Sequence, residues 1–290
     1  MSNDKINMLL DAVNDIRDKR ASLSEKTLSY ISELAEILTD EADEDEIFFR
    51  DEAFITRYRA LTERKGEEKA ASFNKRDVKT VEKQLSETEK AFLCLRLSDI
   101  LGISGIEGSG TFFDDPPKAS GETVCYVKSR GTDDAYISFA SEMEDPRVSY
   151  AHDLTEVAQS VAYGKTAYGI LPIASARAIM LKHGLKIAKR LKAQGSDGAS
   201  TVYALVKKEL DIPSSAENAF FEFTVKTDDP NAILIASYAC SMKTVSVSYS
   251  AESASLNAVL SISEDGFCGF LTYLSLNYPD FVPIGIYKEL

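Results

Sequence analysis

The chain has 290 residues, of which 44% are hydrophobic, and a formal net charge of −13 at pH 7. This length predicts two or three domains with cores of their own. The acidic charge argues against a nucleic-acid partner, because binding to a phosphate backbone needs clustered Lys and Arg. No apolar run approaches the roughly 20 residues of a membrane span, so we expect a cytoplasmic protein without a membrane partner.

The cysteines and histidines offer little redox or metal chemistry. Cys94, Cys125, Cys240 and Cys268 are far apart in apolar surroundings, and no two of them form a CxxC pair. Such cysteines are typical of buried free thiols in a reducing compartment. The chain has only two histidines, His152 and His183, so we expect no metal site. We also expect no cofactor.

The first hundred residues have the periodicity of helices. Apolar side chains recur every three or four residues over 6–16 and 28–38, and further helices are predicted over 46–63 and 78–100. Five glycines and a Pro-Pro pair then follow in a stretch without periodicity. We therefore predict a helical domain over residues 1–101 and a linker over 102–122.

The unit over residues 123–210 alternates strands with helices. Asp153 suits the N-cap of one helix and Gly164 its end, while Thr132 or Asp133 suits the cap of the preceding helix. Alternation of this kind predicts a parallel sheet with right-handed crossovers. The predicted strands are 123–127, 148–150, 167–173 and 201–207, and the predicted helices are 132–143, 153–163 and 174–193.

Residues 218–290 form a third unit. Strictly alternating segments predict strands, and the element order is strand, helix, strand, strand, helix, strand. This is the ferredoxin-like split βαβ arrangement, so the fold class is a multidomain combination of α/β and α+β units. The predicted strands are 220–226, 244–250, 256–263 and 282–287, and the predicted helices are 230–241 and 266–276.

Three segments resemble prephenate dehydratases, particularly those fused to an N-terminal chorismate mutase. They are Phe113–Ala140, Asp153–Ile173 and Phe220–Leu290, and the last resembles the regulatory ACT domain. The resemblance implies an all-helical domain in the chorismate mutase position, a reduced parallel βα lobe of the periplasmic-binding-protein kind and a ferredoxin-like ACT domain.

The activity that this resemblance implies is the conversion of prephenate to phenylpyruvate. This is a carbon–oxygen lyase reaction of phenylalanine biosynthesis, in which the enzyme holds two carboxylates and protonates the leaving hydroxyl. The implied partners are a small anionic substrate (prephenate) or an amino-acid ligand, and further copies of the chain in a homo-oligomer.

The resemblance assigns catalytic roles to Thr201, Thr132 and Ser175. Thr201 matches the Thr of the family's Thr-Arg-Phe, its presumed proton donor, and Ser175 stands in the loop where the family has Glu-Asn-Ser. Thr132 closes a turn at a helix N-terminus, where unpaired N–H groups favour anions. The competing interpretations are an ordinary helix cap at Thr132 and a structural Thr at the start of a strand.

The same turn supplies the implied substrate-binding residues, Gly131, Arg130 and Lys128. Gly131 is followed by Thr132, as in the end of the family's Gly-Pro-x-Gly-Thr, whereas Lys128 and Ser129 replace the first Gly-Pro. The turn therefore keeps a helix N-terminus and adds cations beside it.

The chain departs from the family where the chemistry is most demanding. Val202 replaces the Arg of Thr-Arg-Phe, which removes a bidentate clamp for a carboxylate. Residues 174–200 are too few for a second lobe, and their basic side chains either attract an anion or form a solvated helix face.

The alternative function is therefore a non-catalytic regulatory or scaffolding ACT-domain protein, and a third interpretation is a resemblance to generic βαβ architecture alone.

The resemblance also implies a regulatory site for phenylalanine, at which some of the family's motif residues are replaced. Pro230, Asn231 and Ala232 align with the first three residues of the family's Pro-Gly-Ala-Leu turn, with Asn231 in place of Gly, and Ser248 begins the segment where the family has Glu-Ser-Arg-Pro. These four positions are the regulatory site that the resemblance implies.

Chorismate mutase activity is less expected than prephenate dehydratase activity, because the spacing of the available arginines is not that of the mutase. These arginines are Arg17, Arg20, Arg50, Arg57 and Arg59.

Overall fold

The computed structural model describes residues 24–39, 50–62, 85–113, 123–194 and 200–289. The helices are α1 (24–39), α2 (Glu52–Thr62), α3 (Glu87–Ile100), α4 (Gly105–Gly108), α5 (Arg130–Ala140), α6 (Leu154–Ala162), α7 (Ile173–Lys182), α8 (Pro230–Ala239) and α9 (Phe267–Asn277). The strands are β1 (Thr123–Val127), β2 (Arg147–Ala151), β3 (Tyr168–Pro172), β4 (Lys186–Gln194), β5 (Ser200–Lys207), β6 (Ala219–Lys226), β7 (Lys243–Ser250), β8 (Ser255–Ser261) and β9 (Val282–Glu289).

All nine of these strands form a single sheet in the order β2-β1-β3-β5-β4-β9-β6-β8-β7. As predicted, β1 is parallel to β2 and to β3, whereas β5 is antiparallel to both of its neighbours, β3 and β4. Strand β4 then lies parallel to β9, with Ile187 opposite Gly285. The α/β unit and the C-terminal unit therefore share one continuous sheet.

Helices cover the two faces of the β1–β5 part of the sheet differently. Phe139 of α5 packs with Val124 and Tyr203 on one face, while Val157 of α6 and Met180 of α7 pack on the other face. The chain therefore leaves the adjacent strands β1 and β3 toward opposite faces. Such a point in an open sheet forms a crevice at the carboxyl ends of the strands, where ligands bind in many α/β proteins.

The predicted helix over 174–193 is wrong in its second half. Helix α7 ends at Lys182, and Gly184 has a positive φ of 65°, which turns the chain out of the helix. The following residues alternate buried Leu185 and Ile187 with basic side chains, a pattern that suits a half-buried strand. Hydrogen bonding to both β5 and β9 then makes this segment β4.

The C-terminal unit has the predicted order of strands and helices. Its strand order β9-β6-β8-β7 is that of the split βαβ fold, and α8 and α9 cover one of its faces. Helix α3, whose N-terminus is closed by a capping box between Ser86 and Glu89, packs on α8 and α9 in turn.

Part of the predicted linker is helical. Helix α4 and a 3₁₀ helix (Ser109–Phe112) pack on α9, and they bury Ile106 and Phe112. Residues 114–122 of that linker, Arg17, Arg20 and the predicted helix over 6–16 lie outside the described residues, so the proposed domain boundaries stay predictions.

The described part of the chain contains no helix with the length and hydropathy needed to cross a membrane. All four cysteines are buried and unpaired, as predicted.

Candidate functional site

The predicted catalytic residues come from segments that meet at one edge of the sheet. Residues 128–132 follow β1 and residues 173–175 follow β3, so both lie at the carboxyl ends of parallel strands. Because β5 is antiparallel to β3, its first residues reach the same edge, and Tyr203 lies opposite Pro172. We call these three segments, 128–132, 173–175 and 201–203, the switch edge. Their roles in binding or catalysis stay predictions.

The first turn of α5 is closed by a reciprocal cap. Ser129 is the N-cap, and its Oγ accepts a hydrogen bond from the backbone N–H of Thr132 at 3.3 Å. Thr132 Oγ1 in turn accepts from the Ser129 N–H at 2.9 Å and donates to the Val127 carbonyl at 2.7 Å. The predicted N-cap, Thr132 or Asp133, lies three or four residues after the observed N-cap, Ser129. Since a hydroxyl has one proton to donate, Thr132 holds its proton inside the cap.

Gly131 is required by close packing rather than by backbone conformation. A Cβ atom at this position would lie 2.3 Å from the phenol oxygen of Tyr203, far inside van der Waals contact. Tyr203 is buried and stands where the family's Thr-Arg-Phe has Phe. The aromatic ring therefore covers the first turn of α5.

Thr201 and Ser175 lie on different sides of the switch edge. Thr201 pairs with Ala193 in the β4–β5 hairpin and shares the α5 face with Tyr203, because side chains alternate along a strand. Ser175 is exposed in the first turn of α7, which packs on the opposite face, and its hydroxyl donates to the Pro172 carbonyl at 3.4 Å. Thr132 and Thr201 thus share a face, and Ser175 does not.

Two exposed cations flank the N-terminus of α5. The Lys128 ammonium lies 5.3 Å from the centre of the Tyr150 ring, a cation–π contact, and Arg130 is exposed at the first helical position. Together with the helix dipole, these charges favour an anion at the switch edge.

The sequence did not reveal a buried charge cluster between the α/β unit and the C-terminal unit. The Glu222 side chain on β6 is 2% exposed and lies 2.7 Å from Arg177 of α7. Its second oxygen accepts from the phenol of Tyr287 at 2.8 Å, and Arg190 of β4 donates to the same phenol at 2.5 Å. Burial and the Glu222 carboxylate raise the pKa of Tyr287. We call Glu222, Arg177, Arg190 and Tyr287 the junction cluster.

A signal for this cluster was present in the sequence. Glu222 is a single acidic residue inside an otherwise apolar strand, FFEFTV, and a charge that folding buries needs a partner. The two arginines that supply the partner charge belong to the stretch interpreted as a basic helix.

The implied regulatory residues do not come together within one chain. Pro230 and Asn231 begin α8, where Asp229 caps the Asn231 N–H at 3.0 Å, and Ala232 is buried beneath the helix. Ser248 lies opposite Asn257 in the β7–β8 ladder. The next residue of β8, Ala258, belongs to the core beneath α8 and α9, so Ser248 and Asn257 lie on the opposite face of the sheet, where Arg177 of α7 donates to Asn257.

Strand β7 is the last strand at one end of the sheet. In the described part of the chain it pairs with β8 alone, and all eight of its residues are exposed, including Val247 and Tyr249. A long edge strand of this kind presents unpaired N–H and C=O groups to other chains.

Four of the cavities that described residues line have volumes of about 340 to 860 Å³. None of these four is lined by Thr132, Ser175 or Thr201. The largest of the four lies between α3 and α8 and includes Asn231 in its wall.

No known protein-family model matches the chain, and no curated protein matches it. Among solved structures, it is similar in fold to prephenate dehydratase from Streptococcus mutans, with 13% identity, coverage of 58% of this chain and 99% of that chain, and a TM-score of 0.47. It is also similar to prephenate dehydratase in complex with L-Phe from Arthrobacter aurescens (9% identity, 57% and 90% coverage, TM-score 0.46).

A third similar structure is described as GqqA, a novel type of quorum quenching acylases, with 11% identity, 58% and 96% coverage and a TM-score of 0.45. All three similarities have a TM-score below 0.5 and extend over 57–58% of this chain. At these identities the likeness concerns the fold alone.

Proposed function

We propose that the protein is a non-catalytic regulatory or scaffolding relative of the chorismate mutase/prephenate dehydratase proteins, acting in aromatic amino-acid metabolism as a homo-oligomer that binds a small anionic or amino-acid ligand. The observation that carries this proposal is the β4–β5 hairpin. It stands where the sequence resemblance implies a second catalytic lobe, and it extends the sheet instead.

The β4–β5 hairpin is fixed within the sheet, which argues against a cleft that opens and closes. Strand β4 is hydrogen-bonded on both sides, to β5 and to β9, and the junction cluster ties the hairpin and α7 to β6. A dehydratase of the implied kind encloses prephenate between two lobes, which excludes water and aligns the proton donor. The first lobe here is joined to the C-terminal sheet.

The side chains at the switch edge support the same conclusion. Thr132 uses its proton within the cap, and Val202 stands where the implied enzyme has an Arg for a substrate carboxylate. Loss of a planar, bidentate cation is not compensated by an aliphatic side chain. The N-terminus of α5 keeps the capacity to bind an anion, whereas Thr132 has no proton free for a leaving hydroxyl and no Arg follows Thr201.

An active prephenate dehydratase is the second candidate. It is favoured by the exposed pair Lys128 and Arg130 beside a helix N-terminus, with Thr201 on the same face of the sheet. A second copy of the chain would then supply the missing wall of the site. This candidate predicts phenylpyruvate formation that Thr201→Ala abolishes.

Ligand binding by the full chain tests the proposed function. Isothermal titration with prephenate and with L-phenylalanine is expected to show saturable binding of at least one of them, and Arg130→Ala is expected to weaken prephenate binding. Arg147→Ala, which removes an exposed cation from β2, is the matched control and is expected to leave binding unchanged. Absence of binding by both compounds would contradict the proposal.

A further inference from the structure

Another of the four cavities, with a volume of about 400 Å³, lies at the end of the α/β strands opposite to the switch edge. Lys186 begins β4 there, whereas Gln194 ends the same strand at the switch edge. Three cations and three aromatic rings line this cavity, which we call the basic pocket: Arg50, Lys186, Lys208, Phe112, Phe113 and Phe281.

The charge of the basic pocket is opposite to that of the molecule. The chain carries a net charge of −13, yet none of the described residues that line the pocket is a carboxylate. Such a local reversal attracts an anion into a site that the rest of the surface repels.

Lys186 is the cation whose surroundings most favour a bound anion. Its ammonium donates to the Pro283 carbonyl at 2.5 Å, and within the described part of the chain it forms no ion pair. An ammonium has three N–H donors, so two remain for other acceptors. Burial lowers the pKa of Lys186, which is the expected effect of desolvation without a nearby negative charge.

The walls of the basic pocket suit a flat apolar group. Phe112 and Phe113 are held at the end of the 3₁₀ helix, where the Phe113 N–H donates to the Gly110 carbonyl at 3.2 Å. Phe281 is held by a turn in which its N–H donates to the Tyr278 carbonyl at 2.9 Å. The cavity volume lies within the range of small-molecule sites, which combine apolar walls with a few charged groups, and aromatic rings add directional contacts.

We propose that the basic pocket binds a small aromatic carboxylate, with its ring against the three phenylalanines and its carboxylate paired with Lys186 and Lys208. The pocket is remote from the switch edge, so this inference does not depend on the proposed function. A ligand held between β4, β9 and the 3₁₀ helix stabilises the folded chain by mass action.

Phenylacetate is the probe for this proposal, and phenylacetamide and acetate are its controls. By isothermal titration with the full chain, phenylacetate is expected to bind at least tenfold more tightly than phenylacetamide, which lacks the charge, and than acetate, which lacks the ring. Lys186→Met and Lys208→Gln are each expected to weaken phenylacetate binding about tenfold, the effect of losing one charged hydrogen bond. Lys165→Met, at an exposed position after α6, is expected to have no effect.

Several outcomes would overturn the inference. They are equal binding of phenylacetate and phenylacetamide, no saturable binding of phenylacetate up to about 20 mM, and unchanged binding in the Lys208→Gln variant. Lys208 is exposed, so its substitution tests the pocket even where the loss of Lys186 disturbs folding. Arg130→Ala leaves phenylacetate binding unchanged if the basic pocket is the site, which separates this result from the test of the proposed function.

Discussion

At the scale of single residues, the contact between Gly131 and Tyr203 makes a sharp prediction. Gly131→Ala places a Cβ atom 2.3 Å from the Tyr203 phenol oxygen, so we expect the free energy of unfolding to fall by about 1–3 kcal/mol, the usual cost of overpacking. The measurement is urea denaturation followed by circular dichroism.

The double variant Gly131→Ala/Tyr203→Phe tests the cause of this loss. Removal of the phenol oxygen leaves the ring carbon Cζ at 3.1 Å from the new Cβ, a distance that a small shift accommodates, so partial recovery of stability is expected. Gly110→Ala is the matched control, because its Cβ meets Ile212 at an ordinary 3.5 Å. Equal stability of Gly131→Ala and the unsubstituted chain would contradict the packing described here.

The cysteines allow a chemical test of the core. Burial raises the pKa of Cys94 and of Cys268 to about 12, and it raises the pKa of Cys125 and Cys240 as well. At pH 8 only about 10⁻⁴ of a thiol with a pKa of 12 is thiolate, the reactive form. We expect slow reaction with an aromatic disulfide reagent in buffer and rapid reaction of all four thiols in denaturant. Rapid labelling of a folded sample would place a cysteine at the surface.

Residue patterns predicted the local features of the switch edge better than its contacts. Asp153 is the N-cap of α6, and Gly164 follows that helix with a positive φ of 70°, both as predicted. Ser129 was missed as the cap of α5, because Thr132 in the same turn is an equally good capping residue in isolation. The contact of Tyr203 with Gly131 joins residues 72 positions apart (203 minus 131), and no local pattern records it.

At the scale of elements, the junction cluster is expected to hold α7 and β4 against β6. Glu222→Gln leaves Arg177 and Arg190 facing a neutral amide in a buried position. Breaking a buried ion pair by neutralising one partner is costly, so we expect a loss of about 2–4 kcal/mol in the free energy of unfolding. Chemical denaturation measures this loss.

Glu289→Gln is the matched control for this substitution. Glu289 is also near Arg190, at 3.9 Å, but its side chain is 58% exposed. Exposed pairs contribute at most about 1 kcal/mol. A Glu222→Gln variant no less stable than Glu289→Gln would show that the cluster does not fix the junction.

Element identity was hardest to predict between residues 183 and 194. The sequence KIAKRLKA suits a basic helix by propensity and a strand by alternation. The segment forms a strand and not a helix because it pairs with β9, which lies about one hundred positions further along the chain. Intrinsic preference is a weak guide where a segment is hydrogen-bonded on both sides, so the strand required tertiary information.

At the scale of the whole molecule, the exposed edge strand β7 predicts self-association. Each copy presents an edge of eight residues without Pro, and antiparallel pairing of two such edges satisfies the unpaired backbone groups of both. We expect the purified chain to have the mass of a dimer or larger oligomer by multi-angle light scattering.

Val247→Lys is expected to convert this oligomer to monomers, because two like charges would then approach across the paired edges. The same substitution at Val148 on β2, the strand at the opposite end of the sheet, is the control and is expected to leave the mass unchanged. A strict monomer before any substitution would contradict the role of β7.

The sheet as a whole was only partly predictable. The parallel strands β1–β3 and the order of the C-terminal strands follow from alternation and crossover rules. The joining of the two units through β4 and β9 depends on contacts that are distant in sequence. Because β4 and β9 are hydrogen-bonded, the first lobe is part of one sheet with the C-terminal unit and is not a separate lobe that can move. The proposal of a non-catalytic function depends on this connection.

Phenylpyruvate formation from prephenate is the measurement that tests the central claim most directly. The full chain, incubated with prephenate at neutral pH, is expected to produce phenylpyruvate no faster than buffer does. Turnover above this background that Thr201→Ala abolishes would contradict the account, because it would mean that the switch edge builds a catalytic site despite the fused sheet. The Thr201→Ala sample excludes a contaminating enzyme, whose activity would persist in the variant.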